Sequence, residues 1–112
     1  MSDPGLLACP CCGWKVFSEP YGSYDICPIC FWEDDPVQLA DPTFAGGAND
    51  HSLIKAQETF IRHGVSEIRF LRNVRSPNAT DARDPLWRAF DPIRDQVKSL
   101  RDGPLVTYWK DI

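Results

Sequence analysis

Long apolar runs are missing from this sequence. Nowhere do about 18 apolar residues follow one another, and the opening residues MSDPGLLACP contain neither a basic segment nor an extended hydrophobic one. We therefore expect no membrane span and no export, which implies a cytoplasmic protein. At 112 residues the chain is long enough for one compact domain and too short for two, so we expect a single domain over residues 1–112.

Groups that commonly carry out catalysis are also scarce. The chain has two histidines, His51 and His63, and neither lies in a context typical of a catalytic triad or an activated nucleophile. The pair Gly46 and Gly47 lacks the lysine and the spacing of a phosphate-binding loop. We therefore expect a protein that is not an enzyme.

Cysteine is the reactive residue type that the sequence does concentrate. All five cysteines lie between residues 9 and 30, in two fragments, CPCC and CPIC, that share the pattern Cys-Pro-x-Cys. An odd number of cysteines without an export signal argues against a disulfide framework. In such a turn two sulfurs converge on one metal ion, and the proline fixes the backbone angle. The pattern predicts four metal ligands: Cys9, Cys12, Cys27 and Cys30.

We predict that these four cysteines bind one structural Zn²⁺, with iron as the less favoured metal. Paired Cys-Pro-x-Cys turns are also similar to those of rubredoxin, in which four thiolates hold iron and the intervening loop is longer. Cys11 is left over inside the first turn, where its sulfur is expected to project away from the metal. We interpret Cys11 as a bystander, with a redox-sensing thiol as the alternative.

The residues between the two turns predict a β-hairpin. The segments WKVF and SYDI favour extended structure, and SEPYG between them has the proline and glycine of a hairpin loop. We interpret residues 8–32 as a zinc ribbon, whose hairpin brings the two Cys-Pro-x-Cys knuckles together. The expected fold is therefore α+β, with an N-terminal four-cysteine zinc ribbon packed on one or two α-helices.

Five segments are predicted to follow the ribbon: an acidic, glycine-rich loop (33–51), a helix (52–63), a short helix with irregular chain (66–90), a second helix (91–102) and a terminal strand (104–110). The first helix has apolar residues at helical spacing and Gly64 as its stop. The second has Asp91 as a cap, Pro92 in its first position and Gly103 after its end.

Charge is distributed unevenly along the chain. Residues 1–50 carry eight acidic side chains and one basic one, whereas residues 51–112 carry eight acidic and eleven basic ones. The acidic cysteine-rich half should repel phosphate, so nucleic acid is not the partner we expect. We interpret the acidic run of residues 33–35 as a solvated face or an anchor for internal arginines, and we expect Arg72 or Arg75 to reach it.

The function we expect is binding to another protein, through a zinc ribbon that acts as an interaction, inhibitory or regulatory module. The candidate contact residues are Trp14, Tyr21, Tyr24, Trp32, Glu33, Asp34, Asp35, Arg69, Arg72 and Arg75. A nucleic-acid-binding zinc ribbon and a rubredoxin-like electron-transfer protein are the alternatives.

Several motifs in combination resemble those of the CPCC family of small, cysteine-rich bacterial proteins. These motifs are CPCCG, YDICPICFWEDD, GGAND before a helix that ends in HG, VRSP and RDPLW. The resemblance extends over about residues 8–88 and implies a cysteine-rich domain without a particular activity. Residues beyond about 89 lie outside it.

Overall fold

The computed structural model describes residues 5–95, 97 and 108–110. Within them the chain forms, in order, strands β1 (Leu7–Ala8) and β2 (Lys15–Phe17), helices α1 (Pro36–Ala40) and α2 (Leu53–His63), and 3-10 turns at Ile68–Phe70 and Tyr108–Lys110. This is the small α+β fold that the sequence predicts. None of the described helices is both long and apolar enough to cross a membrane.

The pairing of the strands differs from the predicted hairpin. Strand β2 lies within the WKVF segment, but its antiparallel partner is β1, on the other side of the first knuckle. The SYDI segment contributes an isolated bridge between Ile26 and Glu33, which spans the second knuckle. Each Cys-Pro-x-Cys turn reverses the chain, so each acts as the loop of its own short hairpin. The expected pairing of WKVF with SYDI is therefore wrong.

Two backbone hydrogen bonds close the first knuckle. The Gly13 amide donates to the Cys9 carbonyl (2.8 Å), and the Cys9 amide donates to the Trp14 carbonyl (2.8 Å). Gly13 has a φ of 81°, and a Cβ atom at this position would lie 2.8 Å from ring atoms of Trp87. Glycine is therefore required both for the left-handed backbone and for the close approach of Trp87.

The second knuckle repeats this arrangement without a glycine. The Phe31 amide donates to the Cys27 carbonyl (2.8 Å), and the Cys27 amide donates to the Trp32 carbonyl (2.9 Å). Phe31 has a φ of 69°, a conformation that costs an ordinary residue roughly 1–2 kcal/mol. Its ring packs against Phe70 with the centroids 4.5 Å apart. An aromatic contact contributes about 0.5–1.5 kcal/mol beyond burial and so offsets much of this strain.

Helix α2 coincides with the helix predicted over residues 52–63. The Ser52 hydroxyl accepts a hydrogen bond from the Lys55 amide (3.1 Å), which satisfies one free amide of the first turn. Gly64 ends the helix in the left-handed conformation, with a φ of 79°. Both ends are therefore fixed by residues adjacent in sequence, which explains why this helix is predictable.

Helix α1 lies inside the segment predicted as a loop. Asp35 caps it by accepting hydrogen bonds from the Val37 and Gln38 amides, and Pro36 occupies the first helical position. An Asp-Pro pair predicts either a break or a helix start, and here it begins a short helix. The interpretation of this segment as loop alone is therefore wrong at Pro36–Ala40.

The core is built around the knuckles. Its buried members are Ala8, Cys9, Cys11, Cys12, Phe17, Cys27, Ile29, Cys30, Trp32, Leu39, Leu53, Ala56, Phe90, Tyr108 and Trp109. The last three come from the part of the chain beyond the motifs that resemble a known family. This segment therefore belongs to the same core as the cysteines.

The predicted C-terminal elements differ from the structure wherever residues are described. Residues 91–95 form a turn, in which the Asp91 carbonyl accepts from the Arg94 and Asp95 amides (3.1 and 2.7 Å). Half of the predicted helix 91–102 and the first part of the predicted strand 104–110 lie outside the described residues. At 108–110 the strand prediction is wrong: these residues form a 3-10 turn, in which the adjacent residues Tyr108 and Trp109 are both buried.

Replacement of Gly13 by alanine should destabilise the fold more than replacement of Gly64. Both residues have a positive φ, which costs alanine roughly 1–2 kcal/mol. A Cβ atom at Gly64 meets nothing within 4 Å, whereas at Gly13 it clashes with Trp87, and overpacking adds about 1–3 kcal/mol. Urea unfolding at a fixed free-metal concentration measures both variants. Equal losses of stability would contradict the close approach of Trp87.

Candidate metal centre

Four cysteine sulfurs, two from each knuckle, meet in the core. The sulfurs of Cys9, Cys12, Cys27 and Cys30 all lie within 4.8 Å of one another, and none of the four residues is exposed. The Cys9 and Cys30 sulfurs are 3.6 Å apart, and those of Cys12 and Cys27 are 3.8 Å apart. Around a tetrahedral zinc ion with Zn–S distances of about 2.3 Å, sulfurs lie about 3.8 Å apart. The four cysteines could therefore hold a metal ion.

The charges of these thiols also favour a cation among them. Burial raises the pKa of the Cys9 and Cys30 thiols, because a buried thiolate loses its hydration. At Cys27 burial acts in the same direction, but hydrogen bonds from the other three sulfurs and from the Cys30 amide lower its pKa. The four groups cannot all ionise side by side without a positive charge, which a divalent metal ion supplies.

Backbone amides of the second knuckle support a thiolate directly. The amides of Ile29 and Cys30 each lie 3.4 Å from the Cys27 sulfur. The residue between Cys27 and Ile29 is Pro28, which has no amide that needs a partner. Both amides that follow Pro28 in the turn are therefore directed toward the Cys27 sulfur.

The fifth cysteine, Cys11, is not one of the four mutually close sulfurs, although its side chain interacts with that of Cys30. Cys11 is fully buried, and burial raises the pKa of its thiol. Redox-sensing cysteines are exposed and readily ionised, and Cys11 has neither property. Its position in the core agrees better with the interpretation of Cys11 as a bystander.

Side chains from distant parts of the chain hold the first knuckle from outside. The Pro10 carbonyl accepts hydrogen bonds from the Gln57 side-chain amide (3.0 Å) and the Trp87 indole (2.9 Å). Gln57 also donates to the Tyr108 hydroxyl (2.7 Å) and accepts from the Phe90 amide (2.9 Å). This buried glutamine thus connects the knuckle with the C-terminal segment. Sequence reasoning missed it, because a glutamine on a helix ordinarily indicates a solvent-facing position.

The aromatic residues expected to contact a partner are divided between core and surface. Trp32 is fully buried, so its assignment to a partner surface is wrong. Tyr21 is half-buried and its hydroxyl donates to a backbone carbonyl of β1 (2.6 Å). Trp14 is half-buried beneath the guanidinium of Arg83, 6.0 Å from its ring centroid. Tyr24 remains on the surface and is 50% exposed.

The acidic run is not a solvated face. Asp34 is fully buried, and one carboxylate oxygen accepts from the Gly22 amide (2.9 Å), the Ser23 amide (3.2 Å) and the Ser23 hydroxyl (3.1 Å). Burial raises the pKa of the Asp34 carboxyl group. Asp35 is also buried, where it caps α1, whereas Glu33 is half-buried. Asp34 and Asp35 therefore organise loops and are wrongly assigned to a partner surface.

The arginine cluster does not reach the acidic run. Arg75 forms a two-pronged ion pair with Asp81, with distances of 2.7 and 3.0 Å. Arg69 pairs with two acidic side chains outside residues 33–35, at 2.9 and 3.0 Å. Arg72 is exposed and has no ion pair with any described residue. The expected bridge from Arg72 or Arg75 is wrong, because the carboxylates of Asp34 and Asp35 face loop amides.

Comparison with known proteins gives one family. The family described as Cysteine-rich CPCC matches residues 7–81, which include both knuckles and both α-helices. No curated protein matches the chain. The matched segment covers more than half of the sequence, although Trp87 and the buried residues after it also pack around the knuckles.

Replacement of Cys27 by alanine should abolish metal binding, whereas replacement of Cys11 should not. Removal of a ligand from a structural zinc site forfeits much of a binding free energy of about 10–16 kcal/mol, so the ribbon should unfold. Cys11→Ala removes a buried side chain and should cost about 0.5–3 kcal/mol with one metal ion retained. Elemental mass spectrometry and circular dichroism measure the two effects. Loss of the metal from Cys11→Ala would contradict the ligand assignment.

Replacement of Asp34 by alanine should lower the free energy of unfolding by about 2–4 kcal/mol, because three partly buried donors of residues 22 and 23 lose their acceptor. Asp25→Ala is the matched control, since Asp25 is an exposed acid of the same region and should change stability by less than about 0.5 kcal/mol. Chemical denaturation of the metal-loaded variants provides the comparison. Similar stabilities for the two variants would indicate that Asp34 is solvated after all.

Proposed function

The chain belongs to the Cysteine-rich CPCC family, and we propose that it is a zinc-binding protein without enzymatic activity, in which one structural Zn²⁺ supports a surface for another protein. The observation that carries this proposal is the closed site, since all four cysteines are fully buried. Structural zinc sites use four protein ligands, whereas catalytic sites keep one position open for water or substrate. A buried four-thiolate site thus supports a structural role.

Zinc is the metal we propose, with iron as the alternative. Four thiolates in a tetrahedron suit both metals, so the sulfur distances fit either ion. The spacing of the two Cys-x-x-Cys pairs favours zinc, because such pairs are typical of structural zinc sites in proteins that are not exported. Optical absorption separates the two metals, since an iron tetrathiolate is coloured and the zinc form is not.

The surface we propose for the partner lies on the segment that leads into the second knuckle. Tyr24 and Ile26 are 50% and 47% exposed, and tyrosine is enriched in the centres of protein interfaces. Tyr24 has a φ of 63°, and strained residues of this kind cluster at functional sites. The Asp34 carboxylate accepts hydrogen bonds from the amides of the two residues before Tyr24, and the Asp34 backbone carbonyl accepts one from the Tyr24 amide (3.0 Å). A rigid loop thus presents the tyrosine to solvent.

By binding through this surface, the protein would inhibit or regulate its partner, because it would cover the part of the partner that contacts other molecules. A protein is favoured over a nucleic acid because two arginines of the basic cluster, Arg69 and Arg75, are already paired with acids and the cysteine-rich half of the chain is acidic. A rigid, metal-supported loop also favours binding, because little conformational freedom is lost on association.

Native mass spectrometry of the protein purified from its own host tests this proposal. We expect one zinc ion per chain and a retained protein partner. Tyr24→Ala combined with Ile26→Ala should keep the zinc and lose the partner, whereas Leu86→Ala, which removes an exposed apolar side chain elsewhere, should keep both. Bound iron would contradict the choice of metal, and a partner that survives the double substitution would contradict the choice of surface.

A further inference from the structure

A second group of side chains surrounds a cavity of about 250 Å³ on the outer side of α2. The lining residues are His51, Lys55, Glu58, Thr59, Arg62, His63 and Ile68. Pockets for drug-sized ligands measure about 300–1,000 Å³, so this cavity suits a small chemical group. None of its residues belongs to the four-cysteine site or to the surface around Tyr24.

Positive charge at this cavity is not neutralised by ion pairs. Four other described arginines pair with acids or stack on rings: Arg69 with Asp50 and Glu67, Arg75 with Asp81, Arg88 with Asp95, and Arg83 over Trp14 and Trp87. Lys55 and Arg62 are exposed and form no ion pair with any described residue. Glu58 is the single acidic residue of the lining, so the two fixed cations outnumber it.

His51 lines the cavity and is bound to the backbone at Ser66. Its Nδ1 atom lies 3.3 Å from the Ser66 carbonyl oxygen, and because a carbonyl can only accept, Nδ1 carries the hydrogen. The neutral ring then offers Nε2 as an acceptor, whereas the protonated ring offers Nε2 as a second donor. The charged and titratable groups that line the cavity beside it are Lys55, Glu58, Arg62 and His63. The fixed positive charge of the lining therefore comes from Lys55 and Arg62.

We propose that this cavity binds a phosphate group, held by Lys55 and Arg62 with the ring of His63 as a further donor. A phosphate monoester carries about −1.5 to −2 charge at neutral pH and several strong acceptor oxygens, which match two fixed cations and one imidazole donor. A single carboxylate matches them less well, because Glu58 already supplies one at the same place. The phosphate group belongs either to a small metabolite or to a phosphorylated side chain of a protein. This site is independent of the proposed role of the metal.

Titration of inorganic phosphate into the zinc-loaded full-length protein, followed by amide NMR shifts at constant ionic strength, tests the site. We expect saturable shifts concentrated in residues 51–63. Arg62→Ala should weaken binding by about tenfold or more, as for the loss of a charged hydrogen-bond donor. Arg72→Ala is the matched control, since Arg72 is also an exposed arginine without an ion pair among described residues, and should leave the affinity unchanged. Glu58→Gln should strengthen binding.

Two results would contradict a phosphate site in this cavity. An absence of saturation, or an equal loss of affinity in Arg62→Ala and Arg72→Ala, would reduce the effect to general charge screening and overturn the proposal. Tighter binding of a phosphoserine peptide than of free phosphoserine would assign the site to a phosphoprotein, and equal binding would assign it to small metabolites.

Discussion

The meeting of four sulfurs in the core is the constraint on which the rest of the fold depends. Strands β1 and β2 have two and three residues, and α2 has eleven. Isolated hairpins and helices of this length are marginal in water. A structural zinc site contributes about 10–16 kcal/mol in small domains, as much as the whole stability of a typical protein. With the metal that we propose bound to the four cysteines, folding and metal binding would be one process.

Because the fold has little regular structure, buried side chains must provide hydrogen-bond partners for the backbone amides and carbonyls of the loops. The Gln38 side-chain amide lies 3.0–3.1 Å from the carbonyls of Phe44, Asn49 and His51. Asp34 does the same for the amides of residues 22 and 23, and Gln57 for the first knuckle and the C-terminal segment. The side chains of these polar residues thus form the backbone hydrogen bonds that neighbouring strands would form in a larger sheet. Their substitution should be more harmful than that of many apolar core residues, because each leaves several buried groups unpaired.

Features set by neighbouring residues were predictable from the sequence, and those set by distant contacts were not. The two knuckles follow from Cys-Pro-x-Cys spacing, and α2 follows from its periodicity and its caps at Ser52 and Gly64. The pairing of β2 with β1 depends on which turn reverses the chain, which composition does not reveal. Burial of Asp34 requires loop amides twelve residues away in sequence. The run of acidic residues 33–35, taken alone, therefore indicated a solvated surface.

The two knuckles differ in where their supporting aromatic residues originate. Phe31 of the second knuckle packs on Phe70, which lies inside the segment matched by the family. The first knuckle is covered by Trp87 and is connected through Gln57 to Phe90 and Tyr108. Trp87, Phe90 and Tyr108 all lie after the segment matched by the family. Under the proposal that both knuckles bind one ion, docking of the C-terminal segment and retention of that ion would favour each other. The described C-terminal residues thus support the candidate metal centre through the first knuckle.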